Sequence, residues 1–236
     1  FFQAEDGIRD SVASRGLGDV YKRQVLNLSI AFANKIAVAT KIKGLVEIMP
    51  VGKKDFTKLN PGTILSDGDK IRTGSKGFAA IIFIDDKSTL KLKEDSEAVI
   101  TGQRSAASIS KKINMDSGTV RATVTKQNTD FVIQTPTSVA SVKGTDFWLI
   151  TNPETGDQII GIEGIIGLTN NETGQEVDVT KGKSGISTPD GNIGLEVTDQ
   201  SSIPDDPSEE TNGPSQIKIY LEGPNGEQKV IIIEYQ

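Results

Sequence analysis

The chain has 236 residues, of which 35% are hydrophobic and 25% are charged, and it contains neither cysteine nor histidine. This length is enough for one medium-sized domain with its own core, and the missing residue types exclude disulfide scaffolds, Cys/His metal sites and histidine-dependent catalytic triads. The net charge is −6, yet residues 25–195 hold 20 basic against 19 acidic residues. Such a neutral body without a basic stripe argues against a nucleic-acid partner.

The first 24 residues resemble a translated sequencing-library adapter. Gln3 to Asp10 and Ser14 to Gln24 match two adapter segments read in one frame, and three codons separate them. As a targeting peptide this stretch fits badly, because its four acidic residues cancel its four basic ones and it has no apolar core. We therefore interpret residues 1–24 as a segment that is not part of the natural protein.

The localisation of the protein is predicted from residues 25–33. They are apolar and end in Ala31-Phe-Ala33, the small-residue pattern that precedes a signal-peptide cleavage site. Nine residues are too short to span a membrane, so the segment is either the end of a truncated signal peptide or the last turns of a truncated transmembrane helix. Both interpretations predict a periplasmic or secreted bacterial protein whose mature part begins near Asn34.

Short strands dominate the prediction from residue 34 to residue 198. Apolar residues occupy every second position for most of the stretch from Ile36 to Ile48, as in a half-buried strand. Further apolar or alternating runs follow, separated by turn residues, without any sustained helical period. These runs are 77–84, 89–92, 98–100, 118–124, 131–133, 138–142, 147–150, 158–160, 165–166, 177–179 and 193–195. The pattern predicts an all-β fold, a single sandwich or roll of many short strands.

The C-terminal part differs in composition. Residues 196–236 hold nine acidic against two basic residues, and residues 199–215 are polar and proline-bearing, which predicts a disordered acidic linker. Residues 216–236 predict a β-hairpin with Asn-Gly at its turn. Because a lone hairpin is marginally stable, it packs on the body, pairs with another chain or begins an incomplete domain.

Several motifs of the middle region occur in a recognisable order. They are a Gly-x-Val strand, a Gly-Asp-x-Ile-x-Thr-Gly turn, an Asp-Asp-Lys-Ser turn, a Thr-Pro segment and a Val-Lys-Gly-Thr-x-Phe corner. In this order they resemble the FecR domain family over about residues 36–197. The motif residues, each with a structural interpretation, are Gly68, Asp69, Ile71, Thr73, Gly74, Asp85, Ser88, Thr135, Pro136, Val142, Lys143, Gly144, Thr145 and Phe147.

This resemblance implies a role outside the cytoplasm. Some family members are the periplasmic part of transmembrane anti-sigma regulators of iron uptake, and others are exported modules. We therefore expect a non-catalytic, protein-binding or signalling module of the cell envelope, with the periplasmic sensor of an anti-sigma regulator as the alternative. The chain departs from the family pattern at Lys87, where the turn has Gly, and at Lys143, where Arg is usual.

An enzyme is not expected. The carboxylate pairs Asp67/Asp69, Asp85/Asp86 and Glu209/Glu210 all fall in predicted turns or linkers, and none lies in an Asp-x-Asp-x-Asp-Gly calcium loop. We expect no catalytic, cofactor-binding or metal-binding residue and no cofactor. Phe147 and Trp148 leave open a third option, a carbohydrate-binding module that stacks sugars on its aromatic rings, although a lone tryptophan in an apolar run is more often a core residue.

Overall fold

The computed structural model describes residues 35–105, 108–126 and 130–208, together with the strands at 215–222 and 228–235. The strands are β1 (Lys35–Lys43), β2 (Val46–Met49), β3 (Thr57–Lys58), β4 (Ile64–Ser66), β5 (Asp69–Thr73), β6 (Phe78–Phe83), β7 (Thr89–Leu92), β8 (Glu97–Arg104), β9 (Ile109–Val124), β10 (Phe131–Gln134), β11 (Ser138–Val142), β12 (Thr145–Asn152), β13 (Gly156–Glu163), β14 (Ile165–Asn170), β15 (Glu176–Thr180), β16 (Lys183–Ser187), β17 (Ile193–Val197), β18 (Ser215–Glu222) and β19 (Gln228–Tyr235). A short 3-10 helix spans Gln200–Ser202.

Strands β1 to β17 form one continuous hydrogen-bonded sheet that the long strand β9 divides into two layers. The first layer has the order β4-β1-β6-β7-β9-β12-β13-β16-β17. The second has the order β3-β2-β5-β8-β9-β10-β11-β14-β15. Residues 109–117 of β9 pair in the second layer and residues 118–124 in the first. The β9–β10 pair is parallel, and the other pairs are antiparallel.

Alternating side chains of the two layers meet in one hydrophobic core. In β10, Phe131 and Ile133 are buried while Val132 and Gln134 are half-buried, as the period of two requires. Phe83 of the first layer meets Phe131 of the second edge to face, with ring centroids 5.8 Å apart. Each such side chain contributes about 1.5–3 kcal/mol through the apolar surface that it buries.

The predicted all-β fold is confirmed, and the bounds of individual strands differ. The alternating run from Ile36 to Ile48 is two strands in different layers, because the chain turns at residues 44–45. The first half of β9 escaped prediction, because a charged residue, Lys111, holds an inward position between Ile109 and Ile113. A lysine in a core position hides the apolar alternation on which strand prediction depends.

The segment after β17 differs from the predicted disordered linker. Residues 199–208 include the 3-10 helix, and Asp206 forms ion pairs with residues of the first layer. Ionic pairing replaces apolar burial here, so composition alone does not reveal the contact. The predicted hairpin is present as β18 and β19, which pair antiparallel from Ser215 to Tyr235.

Two predictions lie outside the described residues. They are the adapter-like segment 1–24 and the signal-peptide segment 25–33 with Ala31 and Ala33. In the part of the chain that the structure describes, no helix has the length and apolar character that a membrane span requires.

Candidate functional site

The Gly-Asp turn between β4 and β5 is held by the carboxylate of Asp69. Its Oδ2 accepts a hydrogen bond from the backbone N–H of Ser66 (2.8 Å), and its Oδ1 accepts one from that of Val51 (3.0 Å). The N–H of Gly68 donates to the carbonyl of Ile100 at 2.9 Å. A buried carboxylate that satisfies two backbone donors has a structural role.

The Thr-Gly end of the same motif joins β5 to the start of β8. Thr73 Oγ1 accepts a hydrogen bond from the N–H of Ser96 (2.9 Å), and the N–H of Gly74 donates to the carbonyl of Leu45 (2.9 Å). The side chain of Ile71 is in the core. The whole motif therefore fastens the second layer to its neighbouring loops.

The two aspartates of the turn after β6 form ion pairs with a buried lysine. Lys111 is 1% exposed, and its Nζ lies 2.9 Å from Asp85 Oδ2 and 2.9 Å from Asp86 Oδ2. Burial raises the pKa of Asp85, but hydrogen bonds from Lys111 Nζ and from the N–H of Ile109 more than offset this effect, so its pKa lies below the usual value. The two carboxylates neutralise a charge that would otherwise be unpaired in the core.

The turn closes through Ser88. Its Oγ donates to Asp86 Oδ2 at 2.7 Å and accepts from the N–H of Thr125 at 3.0 Å. Lys87, at the position where the family turn has glycine, adopts a left-handed backbone conformation with φ of 62°. The turn therefore forms without its glycine, in a conformation that an L-residue rarely adopts.

The Thr-Pro segment closes the turn between β10 and β11. Thr135 Oγ1 and Ser138 Oγ both donate to the buried Asp157 Oδ2, which lies on β13. Asn171 Nδ2 donates to the carbonyl of Pro136 at 3.1 Å. The contacts to Asp157 connect the two layers at one end of the sandwich, and the contact from Asn171 holds the turn to β14 within the second layer. Thr135 and Pro136 therefore also have structural roles.

The Val-Lys-Gly-Thr-x-Phe corner takes the chain from β11 in the second layer to β12 in the first. Val142, Thr145 and Phe147 are buried. Gly144 has a φ of +68°, and a Cβ on Gly164 would lie 2.6 Å from the Gly144 carbonyl oxygen. Only a residue without a side chain allows this close approach between two backbones.

Lys143, between these buried residues, is exposed and lines a shallow pocket on the outer face of the second layer. The pocket has a volume of 520 Å³, and its lining includes Val132, Ile165, Glu176 and Asp178. Ile165 is 58% exposed. The lining thus combines apolar surface with both signs of charge, in strands β10, β11, β14 and β15 and the adjoining corners.

Comparison with known families identifies the middle of the chain. Residues 69–166 match the family model described as FecR protein. The predicted resemblance to the FecR family is confirmed over residues 69–166, which we call the FecR domain. The matched residues run from β5 to the start of β14, and strands on both sides of the match complete the same two layers around this FecR domain.

Two crystal structures of a candidate anti-sigma factor from Parabacteroides distasonis ATCC 8503, at 2.50 Å and 1.65 Å resolution, resemble the chain that carries the FecR domain. Each is 14% identical in sequence, with TM-scores of 0.47 and 0.46, and the match covers 55% of this chain. The chain spans 60% of the length of each of those structures. A search of the curated proteins found no match.

The FecR domain does not offer Phe147 and Trp148 as a sugar-stacking platform. Phe147 is fully buried and Trp148 is 2% exposed, so neither ring is open to a ligand. Among the described residues, no group of three or more acidic side chains is arranged to hold a metal ion. The pairs Asp67/Asp69 and Asp85/Asp86 bond backbone N–H groups, Ser88 or Lys111, and Glu209/Glu210 lies outside the described residues.

Sequence reasoning missed two features of the structure. Lys111 is the first, and its signal is the alternation of Ile109, Lys111, Ile113 and Met115, all of which point inward. The second is Asp206, which composition assigns to a linker. The cations that bind its carboxylate, Lys91 and Arg121, lie in strands far away along the chain, so no local pattern identifies them.

Proposed function

We propose that this chain is a non-catalytic FecR-type regulator module that is exported and binds a protein partner in the bacterial cell envelope. The match of residues 69–166 to the FecR family carries the proposal. The same match supports the periplasmic sensor of an anti-sigma regulator, which is one form of such a module.

Most motif residues form contacts inside the domain, so we place partner binding on its outer surface. Asp69, Thr73, Ser88 and Thr135 use their polar groups within the domain, whereas Lys143 presents its side chain at the pocket of the second layer. A shallow pocket with exposed apolar surface and charges of both signs suits a peptide segment of a protein better than a small molecule, which binds in a deeper cavity.

Photo-cross-linking from this pocket tests the protein-binding role. We replace Ile165 by p-benzoylphenylalanine in the full chain and irradiate it with the envelope fraction of a bacterium that carries the gene. The matched control carries the same residue at Val51, which is exposed to the same extent, 59% against 58%. We expect a discrete adduct from position 165 that is absent from position 51.

Specificity is checked by reversing charges in the pocket. Asp178→Lys should reduce the adduct, because the substitution changes the charge that faces the partner and leaves the core intact. Equal adducts from positions 165 and 51, or none from either, would count against the proposal.

Export is tested separately with the intact gene. A fusion of alkaline phosphatase after Gln236 is active only outside the cytoplasm, so we expect activity in cells that express the complete upstream sequence. An inactive but stable fusion protein would place the module in the cytoplasm and contradict the export part of the proposal.

A further inference from the structure

A row of cross-strand neighbours runs over the outer face of the first layer. Lys41 pairs with Ala80, Ala80 with Lys91, Lys91 with Arg121, and Arg121 with Trp148. Directly opposed residues on one face lie about 5 Å apart at Cβ. The row therefore places three cations and an aromatic ring side by side, and we call it the outer row.

Residues 206–208, which follow the last strand of this layer, lie across the outer row. Asp206 Oδ2 accepts hydrogen bonds from Lys91 Nζ at 2.7 Å and from Arg121 Nη1 at 2.8 Å. The side chain of Asp206 is only 3% exposed. We call residues 206–208 the strap.

The strap is also held through its backbone. Lys43 Nζ donates to the carbonyl of Pro207 at 2.7 Å, and Lys41 Nζ donates to that of Ser208 at 3.1 Å. Asp206 Oδ1 in turn accepts from the N–H of Ser208 at 2.9 Å, which closes a turn. Four cations thus contact one carboxylate and two consecutive carbonyls, groups that a short acidic segment in a turn presents.

Arg121 is also oriented by residues outside the strap. Asp146 binds Arg121 in a bidentate fashion, with Nε to Oδ1 at 3.0 Å and Nη2 to Oδ2 at 2.9 Å. The guanidinium also lies over the Trp148 ring, 5.8 Å from its centroid. Arg121 is therefore oriented by Asp146 and Trp148, with its Nη1 directed at the Asp206 carboxylate.

Asp206 is charged at every physiological pH. Burial raises its pKa, but hydrogen bonds from Lys91 and from Ser208 more than offset this effect and lower the pKa to about 2. The ligand of the outer row is thus a carboxylate and not a neutral acid.

We propose that the outer row is a binding site for a short acidic segment of a protein partner, and that the strap occupies this site as an internal ligand. If the strap leaves, Lys91 and Arg121 lose the ion pairs to the Asp206 carboxylate, so a second carboxylate-bearing peptide is favoured in its place. A tethered segment competes at an effective concentration in the millimolar range, so a partner peptide must bind better than the strap or act when the strap is pulled away.

This site goes beyond the proposed function, since it lies on the first layer, apart from the pocket on the second. The two experiments are independent. Cross-linking from position 165 can succeed while peptide binding to the outer row fails, and the reverse is equally possible.

The test uses the full chain and a fluorescein-labelled peptide with the sequence of residues 203–210, Ile-Pro-Asp-Asp-Pro-Ser-Glu-Glu. Asp206→Ala removes the internal carboxylate and should bind the peptide about tenfold more tightly than the unchanged chain, in which the strap competes. Asp205→Ala is the matched control, because the neighbouring carboxylate is exposed and does not contact the outer row. Binding is measured by fluorescence anisotropy at low salt.

Two further results are required. Arg121→Gln in the Asp206→Ala chain should abolish the gain, and a peptide with Asn in place of the second Asp should not bind. Emission of Trp148, the only tryptophan of the chain, reports on the same face. If Asp206→Ala unfolds, the isosteric Asp206→Asn takes its place. No binding to the folded Asp206 variant, or equal binding to the Asp205→Ala chain, would overturn the proposal.

Discussion

At the scale of single residues, Lys87 shows how a family motif tolerates a departure. Its φ of 62° places an L-residue in the left-handed region, which costs about 1–2 kcal/mol. Lys87→Gly should therefore raise the free energy of unfolding by about 1 kcal/mol, measured by urea denaturation. Lys54→Gly, at an exposed loop position outside the left-handed region, should give no gain. A loss at position 87 would mean that the lysine side chain itself stabilises the turn.

Lys111 is a buried charge whose removal should be strongly destabilising. Lys111→Met leaves Asp85 and Asp86 without their cation and should destabilise the chain by about 3–5 kcal/mol. Lys112→Met, next to it and exposed, should change stability by less than about 0.5 kcal/mol. Adding Asp85→Asn and Asp86→Asn to Lys111→Met should recover part of the loss, because the unpaired charges are then gone. Similar unfolding curves for Lys111→Met and Lys112→Met would contradict the ion-pair account.

At the scale of elements, β9 determines how the two layers join. The strand changes layer at Gly118, whose φ is +114° and where an added Cβ would lie 2.4 Å from Ser96 Cα. Gly118→Ala should therefore destabilise the chain by more than about 2 kcal/mol. Gly194→Ala in the edge strand β17, where an added Cβ meets no atom within 4 Å, is the control and should change stability by less than about 0.5 kcal/mol. Equal thermal midpoints for the two variants would show that the Gly118 geometry is not required.

The elements also show the limits of sequence reasoning. Strands with clean alternation, such as β10 with Phe131 and Ile133, follow from the sequence, and so do the glycine turns. The first half of β9 does not, because Lys111 interrupts its apolar pattern. The strap does not either, since the cations that bind Asp206 lie in β7 and β9 and are brought together by the fold.

At the scale of the whole molecule, the FecR motifs form structural contacts, whereas the outer surfaces expose side chains that a partner can bind. The motif residues other than Lys143 join the turns, the corners and the two layers. Lys143 and Ile165 in the second layer and the outer row in the first present their side chains away from the core. The order of the motifs along the chain is sufficient to predict the family, and the short alternating runs between turn residues predict the all-β fold. The pocket was not predictable, because its lining comes from separate strands that become neighbours only in the folded sheet.

The central claim is that the motifs build the scaffold and that binding belongs to the outer surface. The most direct measurement compares the photo-cross-linked adduct from position 165 with and without Lys143→Glu, beside the free energy of unfolding of both chains. We predict that Lys143→Glu removes the adduct while it changes stability by less than about 0.5 kcal/mol, since Lys143 is exposed. An undiminished adduct in the Lys143→Glu chain would contradict the claim.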